Sequence, residues 1–212
     1  MKGLIGKKIG MTRIFDDEGK SIPVTVIQTG NNVVHQVKSD EKDGYTAVQL
    51  GFGGIASRKL TKPMLGHFEK HNSSPTMVVK EFQLDSDKEE LQSGQTVGVE
   101  VFEDVKFVDV QGTSKGRGHA GTVKKYNFTI GRKTHGNTNK RERGSSGAGT
   151  YPARVFPGLK MSGHMGAESV TVKRLKVAGI DKEAGLIYIN GAVPGPNKGI
   201  VHIFKNNYKQ QQ

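Results

Sequence analysis

The feature that most constrains this chain is a basic segment, residues 113–166, that is too poor in apolar side chains to form a hydrophobic core. It contains eleven lysines and arginines, eleven glycines and one acid, so its 54 residues carry a net charge of +10. The other 158 residues carry only +2. Leu, Ile, Val and Phe provide 11% of the segment and 28% of the rest. Apolar burial cannot offset ordering costs of roughly 1–2 kcal/mol per residue, so we expect the segment to be mobile alone and ordered by a polyanion.

The two flanks of the basic segment show the pattern of short β-strands. Each flank contains β-branched runs that are bounded by turn residues. The predicted strands are Ser21–Ile27, Val33–Val37, Tyr45–Leu50, Phe107–Val110, Ser169–Val172, Leu175–Ile180, Leu186–Ile189 and Gly199–Phe204. Strands at this spacing, with turns between them, are typical of an antiparallel barrel or sandwich.

Two helices are predicted between the early strands. Thr61 can cap a helix near Thr61–His71, and Pro63 suits its first turn. A second helix, dominated by acids, is predicted over Asp85–Leu91. The chain ends in a short glutamine-rich tail, Gln210–Gln212.

These patterns predict one mostly β body that is formed by both ends of the chain. We expect the body to comprise residues 1–112 and 167–212, with a helical insertion at about 58–92. Residues 113–166 are expected to form an extended, irregular, Gly-rich basic loop.

Composition excludes several classes of protein. The net charge of +12 favours a nucleic-acid partner. The chain has no cysteine, which excludes disulfides, cysteine zinc sites and thiol catalysis. No apolar run approaches the roughly 18 residues of a membrane span, and the first residues lack the apolar stretch of a signal peptide. We therefore expect a cytoplasmic protein without a membrane partner, small-molecule substrate, metal or cofactor.

Two local patterns allow a cofactor-binding or catalytic interpretation. Residues 116–121 match G-x-G-x-x-G, but residues 122–128 do not predict a helix, and the nearest acid after them, Glu142, lies between two arginines. His119, His135 and His164 could act as general base and acid in a metal-free ribonuclease. Their spacing does not require them to converge, so we expect no enzymatic activity. A His-based ribonuclease and a free DNA-binding architectural protein stay as alternatives.

The candidate RNA-binding residues are the cations and imidazoles of the basic segment, two of its aromatics and three N-terminal lysines. Lys and Arg neutralise phosphates, and arginine also forms forked and stacked contacts. Aromatic rings among cations can stack on bases or anchor the chain, and both roles stay open. The candidates are Lys2, Lys7, Lys8, Lys115, Arg117, His119, Lys124, Lys125, Tyr126, Phe128, Arg132, Lys133, His135, Lys140, Arg141, Arg143, Arg154, Lys160 and His164.

Six short motifs, in order and spread along the chain, carry a family resemblance. They are GKKIGMT at 6–12, IPVTV at 22–26, VDVQGTSKGRG at 108–118, THGN at 134–137, MSGHMG at 161–166 and GAVPG at 191–195. Each is weak alone, but their order and spacing together are specific. Over its whole length the chain resembles the L-three family of bacterial large-subunit ribosomal proteins.

The resemblance implies a six-stranded β-barrel of the translation-protein type, with a long loop that penetrates 23S ribosomal RNA. It also implies binding near the 3′ end of that RNA, a role in nucleating subunit assembly, and a loop tip near the peptidyl transferase centre. The expected protein neighbours are the L-fourteen and L-nineteen proteins of the cytoplasmic ribosome. Some members carry a methylated glutamine before the proline that matches Pro152. Residues 147–152 contain no glutamine, so we expect no such modification here.

Overall fold

The computed structural model describes residues 1–30, 32–84 and 91–206. Its strands are β1 (Gly3–Phe15), β2 (Ser21–Gln28), β3 (Asn32–Lys38), β4 (Ala47–Gly54), β5 (Thr76–Gln83), β6 (Thr96–Val97), β7 (Phe107–Thr113), β8 (His119–Ala120), β9 (Gly163–His164), β10 (Ser169–Asp181), β11 (Leu186–Asn190) and β12 (Ile200–Lys205). The α-helices are α1 (Asp40–Asp43), α2 (Lys62–Lys70) and α3 (Thr122–Tyr126). The helix predicted over Asp85–Leu91 lies outside the described residues except for Leu91, and the glutamine-rich tail lies outside them entirely.

Six strands close into an antiparallel barrel, in the order β1-β12-β7-β10-β11-β2. This confirms the mostly β fold and the six-stranded barrel. Fully buried side chains alternate along β7 at Val108 and Val110 and along β11 at Ile187 and Ile189. Alternate residues of a strand point to the same face, so these side chains share the core. Closure leaves this sheet without an exposed edge.

The barrel contains elements that the sequence pattern did not separate correctly. The two predicted strands Ser169–Val172 and Leu175–Ile180 are one strand, β10, whose register shifts between Val172 and Leu175. The 13-residue strand β1 was not predicted, because its Gly and Lys residues weaken the strand pattern. It pairs with β12 and β2 on its two edges, so tertiary pairing outweighs local preference.

A second, four-stranded sheet has the order β5-β4-β3-β6. The predicted strands Val33–Val37 and Tyr45–Leu50 exist, but they belong to this sheet and not to the barrel. The expected helical insertion at 58–92 was only partly correct. In its described part, helix α2 is followed by the unpredicted strand β5, which pairs with β4 along almost its whole length.

The barrel and the second sheet share one hydrophobic core. Leu4 and Ile5 of β1 belong to the same buried cluster as Leu50 of β4 and Phe82 of β5. A Cβ on Gly3 would lie 2.3 Å from the Ile203 carbonyl oxygen and 2.8 Å from the Phe82 ring. Glycine therefore permits the close approach of β1 to both neighbours.

The chain divides into two compact units, which we call the body and the arm. The body comprises Met1–Thr113 and Ser169–Gln212, and the arm comprises Ser114–Glu168. In the part of the chain that the structure describes, no helix has the length and apolar character needed to cross a bilayer.

Candidate nucleic-acid interface

The two ends of the arm run antiparallel and are joined by backbone hydrogen bonds. The Ser114 amide donates to the Glu168 carbonyl (2.9 Å), and the Arg117 amide donates to the Met165 carbonyl (2.9 Å). Strands β8 and β9 continue this ribbon. Gly166 has a φ of +75°, and a Cβ there would lie 2.1 Å from the Lys115 carbonyl oxygen. The ribbon therefore depends on a residue without a side chain at this position.

Helix α3 corrects one sequence-based expectation. A five-residue helix follows Gly121, where the sequence did not predict one, and Asn127 ends it in the left-handed conformation (φ 57°). Its N-cap residue is glycine and makes no side-chain cap hydrogen bond, which explains why no capping signal was visible. The helix is too short to complete a dinucleotide fold, and the acid that such a site needs roughly 20 residues further on would be Glu142, between two arginines.

The structure places most of the predicted residues on the surface of the arm. Four of them are half-buried: Lys125, Tyr126, Phe128 and Arg143. The exposed ones are Lys115, Arg117, His119, Lys124, Arg132, Lys133, His135, Lys140, Arg141, Arg154, Lys160 and His164. In the body, Lys2 is exposed and Lys7 is half-buried.

Lys8 does not lie where the sequence suggested. Its side chain is buried at 7% exposure, and its Nζ donates hydrogen bonds to the carbonyls of Val193 (2.8 Å) and Gly195 (3.2 Å). The expectation that Lys8 contacts phosphate is therefore wrong for this fold. Its ammonium instead bonds to the loop between β11 and β12. The sequence pattern could not predict this contact, because both acceptors are backbone carbonyls about 185 residues away.

Among the described residues, no carboxylate lies within 4 Å of a lysine or arginine of the arm. The ion pairs in that part of the chain join Lys38 to Glu81 and Lys182 to Glu103, both in the body. Like charges on a thin chain segment create a strongly positive surface, which attracts a polyanion.

The aromatic side chains of the arm fall into two groups. Tyr126 and Phe128 are half-buried and pack against each other, with ring centroids 6.3 Å apart. Tyr151 is 89% exposed and Phe156 is 56% exposed, and the Arg154 guanidinium lies 5.9 Å from the Phe156 ring. The first pair anchors the chain within the arm, whereas the second pair has free ring surface for stacking on bases.

The arm exposes four apolar side chains that the sequence pattern did not single out. Ile130, Val155, Leu159 and Met161 are each between 38% and 47% exposed. If the arm were buried in folded RNA, sugars and bases would cover these side chains. Their signal in the sequence is the presence of isolated apolar residues within a strongly charged segment.

The structure brings two of the three candidate histidines together. His119 and His164 are directly opposite each other in the β8–β9 ladder, a pairing that their spacing did not require. His135 lies in a separate loop with a φ of 59°. Over residues 1–30, 32–84 and 91–206, no hydrogen bond orients any of the three rings, whereas general acid–base catalysis needs an oriented imidazole. The same residues contain no cluster of three or more side chains that could hold a metal.

Comparisons with known proteins identify the family. The family model described as Ribosomal protein L3 matches residues 57–212. The large ribosomal subunit protein uL3 of Paraburkholderia phymatum is 51% identical over 203 residues, which is 95% of this chain and 93% of that protein. The protein of the same name from Cupriavidus metallidurans is 48% identical and covers 94% of each chain.

A basic β-barrel protein whose arm cations have no carboxylate partner among the described residues has the features of a nucleic-acid-binding protein. The comparisons place it among ribosomal proteins. The chain belongs to the ribosomal protein L3 family. This confirms the resemblance that the motifs carry. The family is one of structural constituents of the cytoplasmic ribosome and not of enzymes.

Proposed function

We propose that this chain binds 23S ribosomal RNA directly, near the 3′ end of that RNA, and that the arm makes most of the contacts. The observation that carries the proposal is the set of eleven arm cations without a carboxylate partner among the described residues. The body would add a weaker contribution through Lys2 and Lys7. Family membership supports the choice of ribosomal RNA as the polyanion.

The arm has the physical properties that a path through folded RNA requires. Packed RNA concentrates phosphate charge, and lysine and arginine side chains can replace the counterions that leave. Eleven glycines in residues 113–166 keep the chain thin. Tyr151 and Phe156 offer exposed rings to unpaired bases.

The finer parts of the proposal follow from the family. The protein would nucleate assembly of the large subunit by ordering RNA around the arm, and the tip of the arm would approach the peptidyl transferase centre. Its protein neighbours would be the L-fourteen and L-nineteen proteins. We expect no glutamine methylation at residues 147–152, because these residues include no glutamine.

Filter-binding titrations at several salt concentrations test the proposal. The ligands are a fragment from the 3′ region of 23S RNA and an unrelated DNA duplex of the same length. If about six phosphates are contacted, the logarithm of the affinity for the RNA should fall by roughly four to five units per tenfold increase in salt. Equal affinity for the DNA would instead support an architectural DNA-binding protein, and salt-independent binding would contradict the proposal.

A further inference from the structure

Two lysines from separate parts of the arm lie near the ring of Tyr126. The Lys125 Nζ lies 5.3 Å from the ring centroid, and the Lys160 Nζ lies 5.7 Å from it. The two ammonium groups are therefore at most about 11 Å apart. Arg143 lies beside Lys160, because its Nε donates a 2.8 Å hydrogen bond to the Lys160 carbonyl oxygen.

The local fold explains why these groups meet. Lys125 and Tyr126 are the last two residues of α3, and Phe128 packs on the Tyr126 ring directly after the helix ends. The Lys125 Nζ lies 3.5 Å from the position that a Cβ on Gly163 would occupy, so the ammonium lies beside β9. Lys160 precedes β9 by only a few residues. The helix and the strand together bring the two lysines to one ring.

The charges at this cluster are not balanced by the described part of the chain. Lys125, Arg143 and Lys160 have no carboxylate of a described residue within 4 Å. The negative face of the tyrosine ring attracts each ammonium but carries no net charge, so the mutual repulsion of the cations remains. That repulsion grows when a partner excludes water from the cluster, unless the partner itself supplies an anion.

We infer that Lys125 and Lys160 form one phosphate-binding site, in which Tyr126 is the positioning residue and Arg143 a third, neighbouring donor. The ligand is a phosphate group of an RNA backbone, so the inference rests on the proposed function. Tyr126 does not stack on a base in this site, because its ring is half-buried, packed on Phe128 and approached by two ammonium groups. Base stacking falls instead to the exposed rings, Tyr151 and Phe156.

A set of variants tests the site through the salt dependence of binding to the 23S RNA fragment. The double variant K125Q/K160Q should flatten the slope of log affinity against log salt by about 0.7 to 0.9 unit, the share of one lost phosphate contact. Tyr126→Leu alone should flatten the slope by up to about the same 0.7 to 0.9 unit, and Tyr126→Phe should keep the wild-type value. In the K125Q/K160Q background, Tyr126→Leu should have no further effect on the slope, because the cations that it positions are gone.

The matched control is R132Q/K133Q, which removes the same charge from a different loop of the arm. Tyr126→Leu should flatten the slope in this control background as much as in the wild type. Equal slopes for Tyr126→Leu and wild type would overturn the inference. It would also be overturned if Tyr126→Leu changed the slope in the K125Q/K160Q background as much as it does in the wild type. With either of these results, a steep wild-type slope would still support the proposed RNA-binding function. A flat wild-type slope would reject both the RNA-binding function and the phosphate site. Amide exchange at Arg117 and Met165 checks that each variant keeps the ribbon of the arm.

Discussion

At the scale of single residues, Lys8 is a charged side chain that the fold buries, so that its ammonium bonds to backbone carbonyls. Lys8→Met would leave the carbonyls of Val193 and Gly195 without this donor, and one unsatisfied buried polar group costs about 1–3 kcal/mol. We expect a lower urea midpoint and an unchanged salt slope for RNA binding. The double variant K2Q/K7Q should do the reverse, with a flatter slope and unchanged stability. A flatter slope for Lys8→Met would show that its ammonium does reach phosphate.

His35 makes a second prediction at this scale. Its ring is fully buried and bonds to the hydroxyls of Ser73 (2.8 Å) and Thr76 (2.7 Å). Burial, and then the charges of His67 and His71, lower its pKa from 6.5 to about 4. Between these two pH values the unfolded state therefore binds more protons than the folded state. The contribution of His35 to the free energy of unfolding is fully present above about pH 6.5, and roughly 3 kcal/mol of it is lost as the pH falls to about 4.

The imidazole shifts of His35 in an NMR titration of the free protein measure this pKa directly. We expect the ring to stay neutral down to about pH 4. Burial also lowers the pKa of His202, with Lys80 as a second cause, so that residue serves as an internal comparison in the body. A His35 midpoint near 6.5 would contradict the packing described for the second sheet.

At the scale of elements, the ribbon at the ends of the arm depends on Gly166. Gly166→Ala combines a left-handed backbone with a collision between the new methyl group and the Lys115 carbonyl, so we expect the amides of Arg117 and Met165 to lose hydrogen-exchange protection. Gly116→Ala is the control, since its methyl group would meet only the Ala167 Cβ at 3.8 Å. Equal protection of these amides in the two variants would contradict the dependence of the ribbon on Gly166.

The stretch of the arm between β8 and β9 contains few apolar contacts and many glycines. Outside α3 we expect few protected amides there in the free protein, because most of its order would come from RNA. The ribbon itself refines the prediction from composition, which treated residues 113–166 as uniform. Slow exchange throughout the stretch would show that the arm is ordered before it binds.

At the scale of the whole molecule, the sequence predicted those features that depend on local pattern or on charge. The barrel strands after residue 106 followed from β-branched runs, and the arm followed from its excess of cations. Assignment of β3 and β4 to a second sheet could not be predicted, because it depends on pairing with β5 and β6. The burial of Lys8 and the convergence at Tyr126 are likewise set by tertiary contacts between distant segments.

The body should fold without the arm. Thr113 and Ser169 are paired residues at the end of the β7–β10 ladder, so a short glycine linker can replace residues 114–168. The shared core of the barrel and the second sheet lies entirely in the body. We expect the deleted protein to unfold cooperatively on heating, and loss of a cooperative transition would contradict this division.

The same deleted protein gives the most direct test of the claim that the arm carries RNA binding. Its affinity for the 23S RNA fragment should be measured against that of the full chain over a series of salt concentrations. The full chain should show a steep slope, and the deletion should leave at most about one to two units, the share of Lys2 and Lys7. A folded body that kept the affinity and slope of the full chain would contradict the account.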